Sequence, residues 1–202
     1  MTTRMPCPHE HHVRPDPVPE EVGVDWRALQ HVCPHLSPPA AQRIAAGLEL
    51  AFARFAIDTP ERAAAAVALF AHQSAGFTRP VEEGDGTEHE RRRELGNLRR
   101  GDGRRFRGRG WMPVVGRARY RRVSQVLGRN FVLEPDLLGH SPWAELAAAL
   151  WWHDHGAAVW ADRGDAVGLA RLVDPHLADL PERLRLHGRA LTVAHRLVPR
   201  SA

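Results

Sequence analysis

The sequence has no lysine, only two cysteines, a single tyrosine and no long apolar run. All 28 basic residues are therefore arginine, which together with abundant alanine, glycine and proline indicates a GC-rich genome and a bacterial source. Two cysteines are too few for a disulfide framework. No apolar stretch reaches the length of a signal-peptide core or a membrane span, so we expect no membrane insertion and no export by the general secretory route.

The composition suits one soluble domain with a real core. The chain has 202 residues, of which 43% are hydrophobic and 26% charged. Residues 1–21 contain five prolines and few apolar side chains, and such a segment cannot bury enough surface to offset the entropy of ordering it. We therefore predict a flexible Pro/His-rich tail at 1–21 and one folded domain at 22–202, and we expect a monomer.

Each cysteine lies in a Cys-Pro-His triplet, at Cys7 and at Cys33, with further histidines nearby. Cysteine and histidine are zinc ligands, but the spacing matches no strong zinc pattern. We predict no metal site and no cofactor. A free thiol pair, or a bridge that ties the tail to the domain, is left open.

Apolar residues recur at steps of three and four along most of the domain, and no stretch alternates with a period of two for more than a few residues. The sequence thus predicts an all-α fold. Thr59, Pro60 and Glu61 form a favourable helix start, and the alanine-rich run after them ends near His72. The predicted helices span 26–32, 39–55, 60–72, 117–127, 165–173 and 181–198, and a further helix begins at 141–142 and includes 143–152. We expect 78–107 to be a mobile loop.

Positive charge is concentrated between Arg91 and Arg122, where 13 arginines face only two acidic residues, Glu94 and Asp102. A one-sided basic face favours polyanions such as nucleic acid, teichoic acid or an acidic cell-wall glycan. A solvated arginine surface that reflects codon usage alone is the alternative.

Several motifs, in order along the chain, resemble the family 19 glycoside hydrolases, which include chitinases and bacterial and phage endolysins. They are Ala71-His72-Gln73-Ser74, Arg107-Gly108-Arg109-Gly110 with the segment to Tyr120, Glu134-Pro135-Asp136-Leu137, and Val173 to Arg183. The resemblance covers roughly residues 24–198. It implies a lysozyme-like helical domain of the family 19 chitinase type, acting on chitin or peptidoglycan.

The resemblance also implies a site with two carboxyl groups, one acid and one base, separated by about 6.5–9.5 Å in an inverting enzyme. The family acid is a glutamate at the position of Gln73, and a carboxamide cannot donate a proton at neutral pH. The base corresponds to Glu82 or Glu83. The substrate-binding positions implied by the resemblance are His72, Arg109, Trp111, Tyr120 and Asp174. Residues that differ from the usual sugar-contacting pattern are Pro113, Val115, Arg119, Asp174 and Ala178.

Three hypotheses follow. The first is a pseudoenzyme that binds cell-wall glycan, or another partner, with hydrolysis lost or much reduced. The second is an active chitinase or peptidoglycan hydrolase in which Glu82 or Glu83 works with Glu88, Asp102 or His72. The third is a polyanion-binding module built on Arg91–Arg122. For the glycan hypotheses we expect a cytoplasmic chain that reaches the wall through a holin or another route.

Overall fold

The structure is a computed structural model that describes residues 23–199. The predicted tail at 1–21, and Cys7 within it, lie outside the described residues. Within them the fold is helical, with isolated β-bridges between Val81, Arg109 and Val114. The α-helices are α1 (Trp26–Val32), α2 (Pro38–Arg54), α3 (Pro60–Gln73), α4 (Asp102–Arg105), α5 (Arg117–Leu127), α6 (Trp143–Asp154), α7 (Ala158–Asp162), α8 (Ala166–Val173) and α9 (Leu180–Leu191). Short 3₁₀ turns occupy Thr87–His89, Arg93–Leu95, Pro135–Gly139 and Ala194–Arg196. The prediction of an all-α fold is confirmed.

Helix α3 is the central element of the domain. Every residue from Ala63 to Ala71 is buried, as expected for a helix that is apolar on all sides. Thr59 caps its start by accepting a hydrogen bond from the Arg62 amide at 3.2 Å, as the sequence predicts. The small alanine side chains let α9 pack along α3, so the C-terminal part of the chain is brought to the end of α3.

Helices α2 and α6 cross at a glycine. A Cβ on Gly47 would lie 2.6 Å from the side-chain carboxyl carbon of Glu145, so this crossing requires glycine. Beside it, Phe70 packs edge-on against Trp152 with ring centroids 6.5 Å apart. Trp152 is 1% exposed and belongs to the core.

The segment between α3 and α5 combines buried apolar side chains, such as Phe106 and Trp111, with buried polar contacts. Asp102 is buried and receives hydrogen bonds from the Arg117 side chain and the Arg99 amide. The buried Asn97 connects the His89 carbonyl to the Arg117 amide. The sequence predicts a loop here, and the structure shows a loop with two 3₁₀ turns and the short helix α4.

The predicted last helix, 181–198, is too long. Helix α9 ends at Leu191, and a 3₁₀ turn follows. The β-branched pair Thr192 and Val193 follows the end, where Thr192 Oγ1 donates to the Arg189 carbonyl at 2.7 Å. On α9, Leu184 and Leu191 are exposed, whereas Leu186 and Ala190 are buried.

Cys33 lies at the end of α1 and is buried. Burial raises the pKa of its thiol to about 11. Because Cys7 lies outside the described residues, a bridge between the two cysteines stays a prediction. In residues 23–199, no helix has the length and apolar character required to cross a membrane.

Candidate functional site

Gln73 is the last residue of α3, and a tight turn follows it. Ser74 stabilises this turn because its hydroxyl donates to the Phe70 carbonyl at 2.7 Å and accepts from the Phe77 amide at 3.0 Å. Ala75 and Phe77 have positive φ angles of 49° and 63°. The backbone therefore reverses within a few residues, which fixes the direction in which Gln73 leaves the helix.

The Gln73 amide pairs with Arg183 of α9. With the amide oxygen facing the guanidinium, Oε1 accepts from Nη1 at 3.1 Å and from Nη2 at 3.3 Å. Burial lowers the pKa of Arg183, and Asp174 and Asp179 oppose this shift. Position 73 thus holds a neutral acceptor against a cation and presents no acidic proton there.

Glu82 lies on the loop after the turn, beside the bridge between Val81 and Arg109. Its side chain is 21% exposed, and Oε1 lies 3.0 Å from Nε2 of His89. The Nδ1 atom of His89 is buried and has no hydrogen-bond partner among the described residues. A proton on Nδ1 would be an unsatisfied buried donor, which costs about 1–3 kcal/mol. The proton is therefore best placed on Nε2, which donates to Glu82.

Glu83 has a different environment from Glu82. Its side chain is 77% exposed and pairs with Arg79 at 2.9 Å across the loop surface. An exposed ion pair between two long side chains holds its partners weakly. Of the two glutamates that could match the family base, Glu82 is the one that a second side chain orients.

Among the described residues, Glu82, Glu88 and His89 form a cluster that could hold a metal ion, because their ligand atoms lie within 4.8 Å of one another. A cation on Nε2 of His89 would displace the proton to Nδ1, which has no acceptor. Metal-binding histidines normally donate their other N–H to a partner, so this cluster fits a hydrogen-bonded carboxylate–imidazole pair better than a metal site.

The candidates for a replacement acid each have a structural obstacle. Glu88 is too close to Glu82, because oxygens within 4.8 Å leave less room than the roughly 6.5–9.5 Å of an inverting pair. Asp102 is 2% exposed and paired with Arg117. His72 is half-buried, and burial lowers its pKa, with Arg183 adding to the shift. A histidine with a lowered pKa is mostly neutral at pH 7.

His72 also lies in a narrow space. It lines a crevice of about 20 Å³ between α3, α8 and α9, together with Arg183 and His187. That volume is about enough for one water molecule. The structure therefore places His72 in helix packing, and its role in substrate binding stays a prediction.

Three other predicted substrate-binding residues are also buried. Arg109 is 5% exposed and donates to Tyr120 Oη at 2.8 Å and to Asp136 at 2.7 Å. Burial raises the pKa of Tyr120 to about 12. Trp111 is 6% exposed and packs edge-on against Phe77 at 5.5 Å. These side chains offer little surface to a ligand, and their contact with substrate stays a prediction.

Asp174, the last predicted substrate-binding residue, stabilises a turn. It follows α8, and its carboxylate accepts hydrogen bonds from the backbone amides of His176 at 2.9 Å and Ala178 at 2.6 Å. These amides lower its pKa. The turn leads into α9 and so helps to bring Arg183 to Gln73.

The arginine-rich window divides into two groups. One group forms ion pairs with acidic side chains on the surface, as in Arg92–Glu94, Arg104–Asp85 and Arg122–Asp154. The other group is exposed, and its guanidinium groups have no partner within residues 23–199. Its members are Arg91, Arg93, Arg99, Arg100, Arg119 and Arg121. The surface charge available to a polyanion is thus smaller than the sequence alone indicates.

Comparison with solved structures finds chitinases of similar fold. No family model matches the sequence. Chitinase C from Streptomyces griseus HUT6037 superposes with a TM-score of 0.68 at 15% identity, covering 92% of this chain and 82% of that one. A mutant of chitinase C, with one glutamate replaced by glutamine, gives 0.68 at 16% identity, covering 90% and 80%. A bacterial family 19 chitinase gives 0.66 at 17% identity, covering 89% and 98%.

The fold is that of the family 19 chitinases. The predicted lysozyme-like helical domain is confirmed, and at this level of identity the likeness concerns the fold alone. Three residues lie against Glu82 or Gln73 without having been expected to play a role there: His89, Gly108 and Arg183, of which Gly108 and Arg183 fall within the motifs of the resemblance. His89 follows Glu82 seven residues later in the same loop, and nothing in the sequence indicates that the two side chains are in contact. Arg183 contacts Gln73 from a different helix, and the sequence does not reveal such a contact.

Proposed function

We propose that this protein binds a cell-wall glycan, peptidoglycan or a chitin-like polymer, and that its hydrolysis of natural glycosidic bonds is lost or strongly reduced. The observation that carries the proposal is Gln73, an amide held by Arg183 at the end of α3. The family resemblance places a general acid at this position. Loss of a general acid alone lowers a rate by about 10²–10⁴-fold.

The environments of the alternative acids support the proposal. Glu88 adjoins Glu82, Asp102 is buried against Arg117, and His72 has a lowered pKa. None of the three combines access, distance and a proton at neutral pH. A chitinase-like fold with one oriented carboxylate, and no suitable acid among residues 23–199, fits recognition better than turnover.

The test compares wild type with Gln73→Glu on chitin oligosaccharides and purified peptidoglycan, with binding to the same polymers measured in parallel. We expect the wild type to bind and not to cut, and Gln73→Glu to gain about 10²-fold or more in rate. The new carboxyl would face Arg183, which favours its ionised form. The rate of Gln73→Glu should therefore rise as the pH falls.

Gln73→Met is the matched control, since it fills similar space without a carboxyl group and should not cut. Turnover by the wild type at a rate near that of Gln73→Glu would refute the loss of hydrolysis. Absence of binding to both polymers would refute the glycan assignment.

A second candidate function is polyanion binding through the exposed, unpaired arginines, for example Arg99, Arg100 and Arg121. Phosphate contacts release counterions, so binding to duplex DNA should weaken by orders of magnitude between low and physiological salt. An affinity that does not change with salt would exclude this candidate.

A further inference from the structure

A groove of about 560 Å³ lies beside the C-terminal half of α5, where the chain turns back after the helix. One wall carries the exposed side chains of Arg121 and Gln125, and the other wall is the segment 128–133. This α5 groove shares no lining residue with Gln73, Glu82 or their partners. It is therefore separate from the candidate site described above.

Hydrogen bonds hold the two walls of the α5 groove in place. Ser124 Oγ accepts from the amide of the buried Phe131 at 3.0 Å, which fixes the returning chain against the helix. On the far wall, Arg105 donates to the carbonyl oxygens of Val132 and Leu133 at 2.9 and 3.1 Å. The groove is thus preformed, so little ordering of the protein is needed when a ligand binds.

The lining of the α5 groove offers N–H donors and positive charge, and it contains no acidic side chain. The Arg121 guanidinium and the Gln125 amide have no hydrogen-bond partner among residues 23–199. Asn130 is bound within the fold through Oδ1, which leaves its NH2 group free. Arg129 pairs with Glu134 at 2.7 Å through one nitrogen, Nη2. These groups are the ones that recognise an anion.

The two arginines of the groove are spaced along the helix. Gln125 lies one turn after Arg121 on the same face of α5, and Arg129 follows just beyond the end of the helix. From Arg121 to Leu127 the helix rises about 9 Å. Charges separated in this way match a chain that carries charge at intervals better than one compact anion. Guanidinium groups bind phosphate oxygens in a bidentate manner, so phosphate is the favoured repeating group.

The α5 groove has no aromatic lining residue. Proteins that bind single-stranded nucleic acid stack the bases on aromatic rings, so this lining suits an anion without bases. Val132 and Leu133, the latter 67% exposed, offer carbon surface to the methylene groups of a polyol. The negative end of the α5 dipole also lies here, and Arg54 opposes it by donating to the Val126 carbonyl at 2.6 Å. The local charge therefore stays favourable to an anion.

Further unpaired arginines lie towards the start of α5. The segment 91–100 packs there, since a Cβ on Gly96 would lie 2.9 Å from the Cβ of Ala118. A polymer that fills the groove can therefore extend over a second group of charges. The exposed arginines of this segment without a partner among residues 23–199 are Arg91, Arg93, Arg99 and Arg100.

We propose that the α5 groove binds a phosphodiester polymer without bases, of the poly(glycerol phosphate) type that forms teichoic acids. Arg121 and Arg129 bind phosphate oxygens, and the amides of Gln125 and Asn130 donate to the oxygens that remain. The inference goes beyond glycan binding at Gln73. It rests on the polyanion-binding candidate, which it restricts to one groove and one class of polymer.

The test measures the affinity of the full chain for purified poly(glycerol phosphate) by calorimetry at several salt concentrations. We expect Arg121→Gln to weaken binding about 10-fold and to reduce the slope of log Kd against log salt by about one. Gln125→Ala should weaken binding about 3-fold without changing this slope, because it removes a donor and no charge. Arg163→Gln is the matched control, since Arg163 is exposed, has no partner among residues 23–199 and lies outside the groove. Equal affinities of Arg121→Gln and Arg163→Gln would overturn the inference, because net charge alone would then bind the polymer.

Leu133→Glu places a negative charge in the groove at an exposed position, so the fold should persist while binding of poly(glycerol phosphate) is lost. Binding of a chitin oligosaccharide should be the same in this variant and in the wild type. Loss of oligosaccharide binding would show that the groove and the candidate site are not separate, which would overturn the inference.

Duplex DNA separates the inference from the polyanion-binding candidate. A duplex is too wide to enter the groove, so Gln125→Ala should leave DNA binding unchanged. Equal losses of affinity for DNA and for poly(glycerol phosphate) in this variant would overturn the choice of a polymer without bases. Salt-dependent binding of DNA without binding of poly(glycerol phosphate) would overturn the inference and keep the candidate. Absence of binding to both polymers would overturn both.

Discussion

Different interactions hold the two sides of the candidate site in place. Gln73 stands at the end of a regular helix whose position is set by buried alanines. Glu82 stands on a loop whose shape is set by glycines and by buried polar groups such as Asn97 and Asp102. The helix side carries an amide at Gln73, where the backbone does not depend on the identity of the side chain. The loop side carries the Glu82 carboxylate, where many contacts depend on one another. This contrast suggests that the loop is the more fragile half.

The largest expected effect is on the loop side. Asp102→Ala leaves the mostly buried Arg117 guanidinium without a counter-charge. Breaking a buried ion pair in this way lowers the free energy of unfolding by about 3–5 kcal/mol. Urea denaturation followed by tryptophan fluorescence measures it. Asp162→Ala is the matched control, because Asp162 pairs with Arg62 at 44% exposure. Exposed pairs contribute about 0–1 kcal/mol. Similar losses in the two variants would contradict the contrast between loop and helix.

Acid adds a second test of the same pair. Burial alone would raise the pKa of Asp102, but hydrogen bonds from Arg117 and the Arg99 amide outweigh it and lower the pKa. A carboxyl whose folded pKa lies below its unfolded value stabilises the fold above the unfolded pKa, near 3.9, and loses this contribution as the pH falls further. The wild type should thus lose stability in acid faster than Asp102→Ala.

The sequence predicted the helix side well and the loop side poorly. Thr59, Pro60 and the alanine run mark α3 by local rules, and the apolar spacing of Tyr120, Val123 and Leu127 marks the buried face of α5. The loop depends on pairs far apart in the chain, such as Asp102 with Arg117, and composition does not reveal such pairs. For the same reason the sequence could not choose between Glu82 and Glu83. That choice depends on His89 and Gly108.

A smaller effect is expected at the pair between Gln73 and Arg183. If the amide serves helix packing, Gln73→Met and Arg183→Met should each lower the free energy of unfolding by about 1–2 kcal/mol, and the double variant by less than the sum. A coupling energy of about 0.5 kcal/mol or more would show that the two side chains interact. Strict additivity would mean that Arg183 does not hold the amide, and the account of the helix side would need revision.

The smallest expected effect is at Glu145, a carboxyl buried inside the helical half. It is 0% exposed, and Ser141 Oγ donates to its Oε1 at 2.6 Å. Burial raises the pKa of Glu145, and the side chains of Ser141 and Trp111 oppose the shift without cancelling it. A carboxyl with a raised folded pKa destabilises the fold progressively as the pH rises above the unfolded value.

Glu145→Gln keeps the shape and the hydrogen bond and removes the ionisation. We expect the variant to be more stable than the wild type at pH 8 by about 1 kcal/mol, the size of a typical single-residue effect, and the difference to shrink towards pH 4. Thermal unfolding across this range measures it. Glu83→Gln is the control, because this exposed residue should change stability by less than about 0.5 kcal/mol at either pH. A constant difference between wild type and Glu145→Gln across this range would mean that folding does not raise the pKa of Glu145, and the polar groups that matter for the pH dependence of stability would then lie on the loop side.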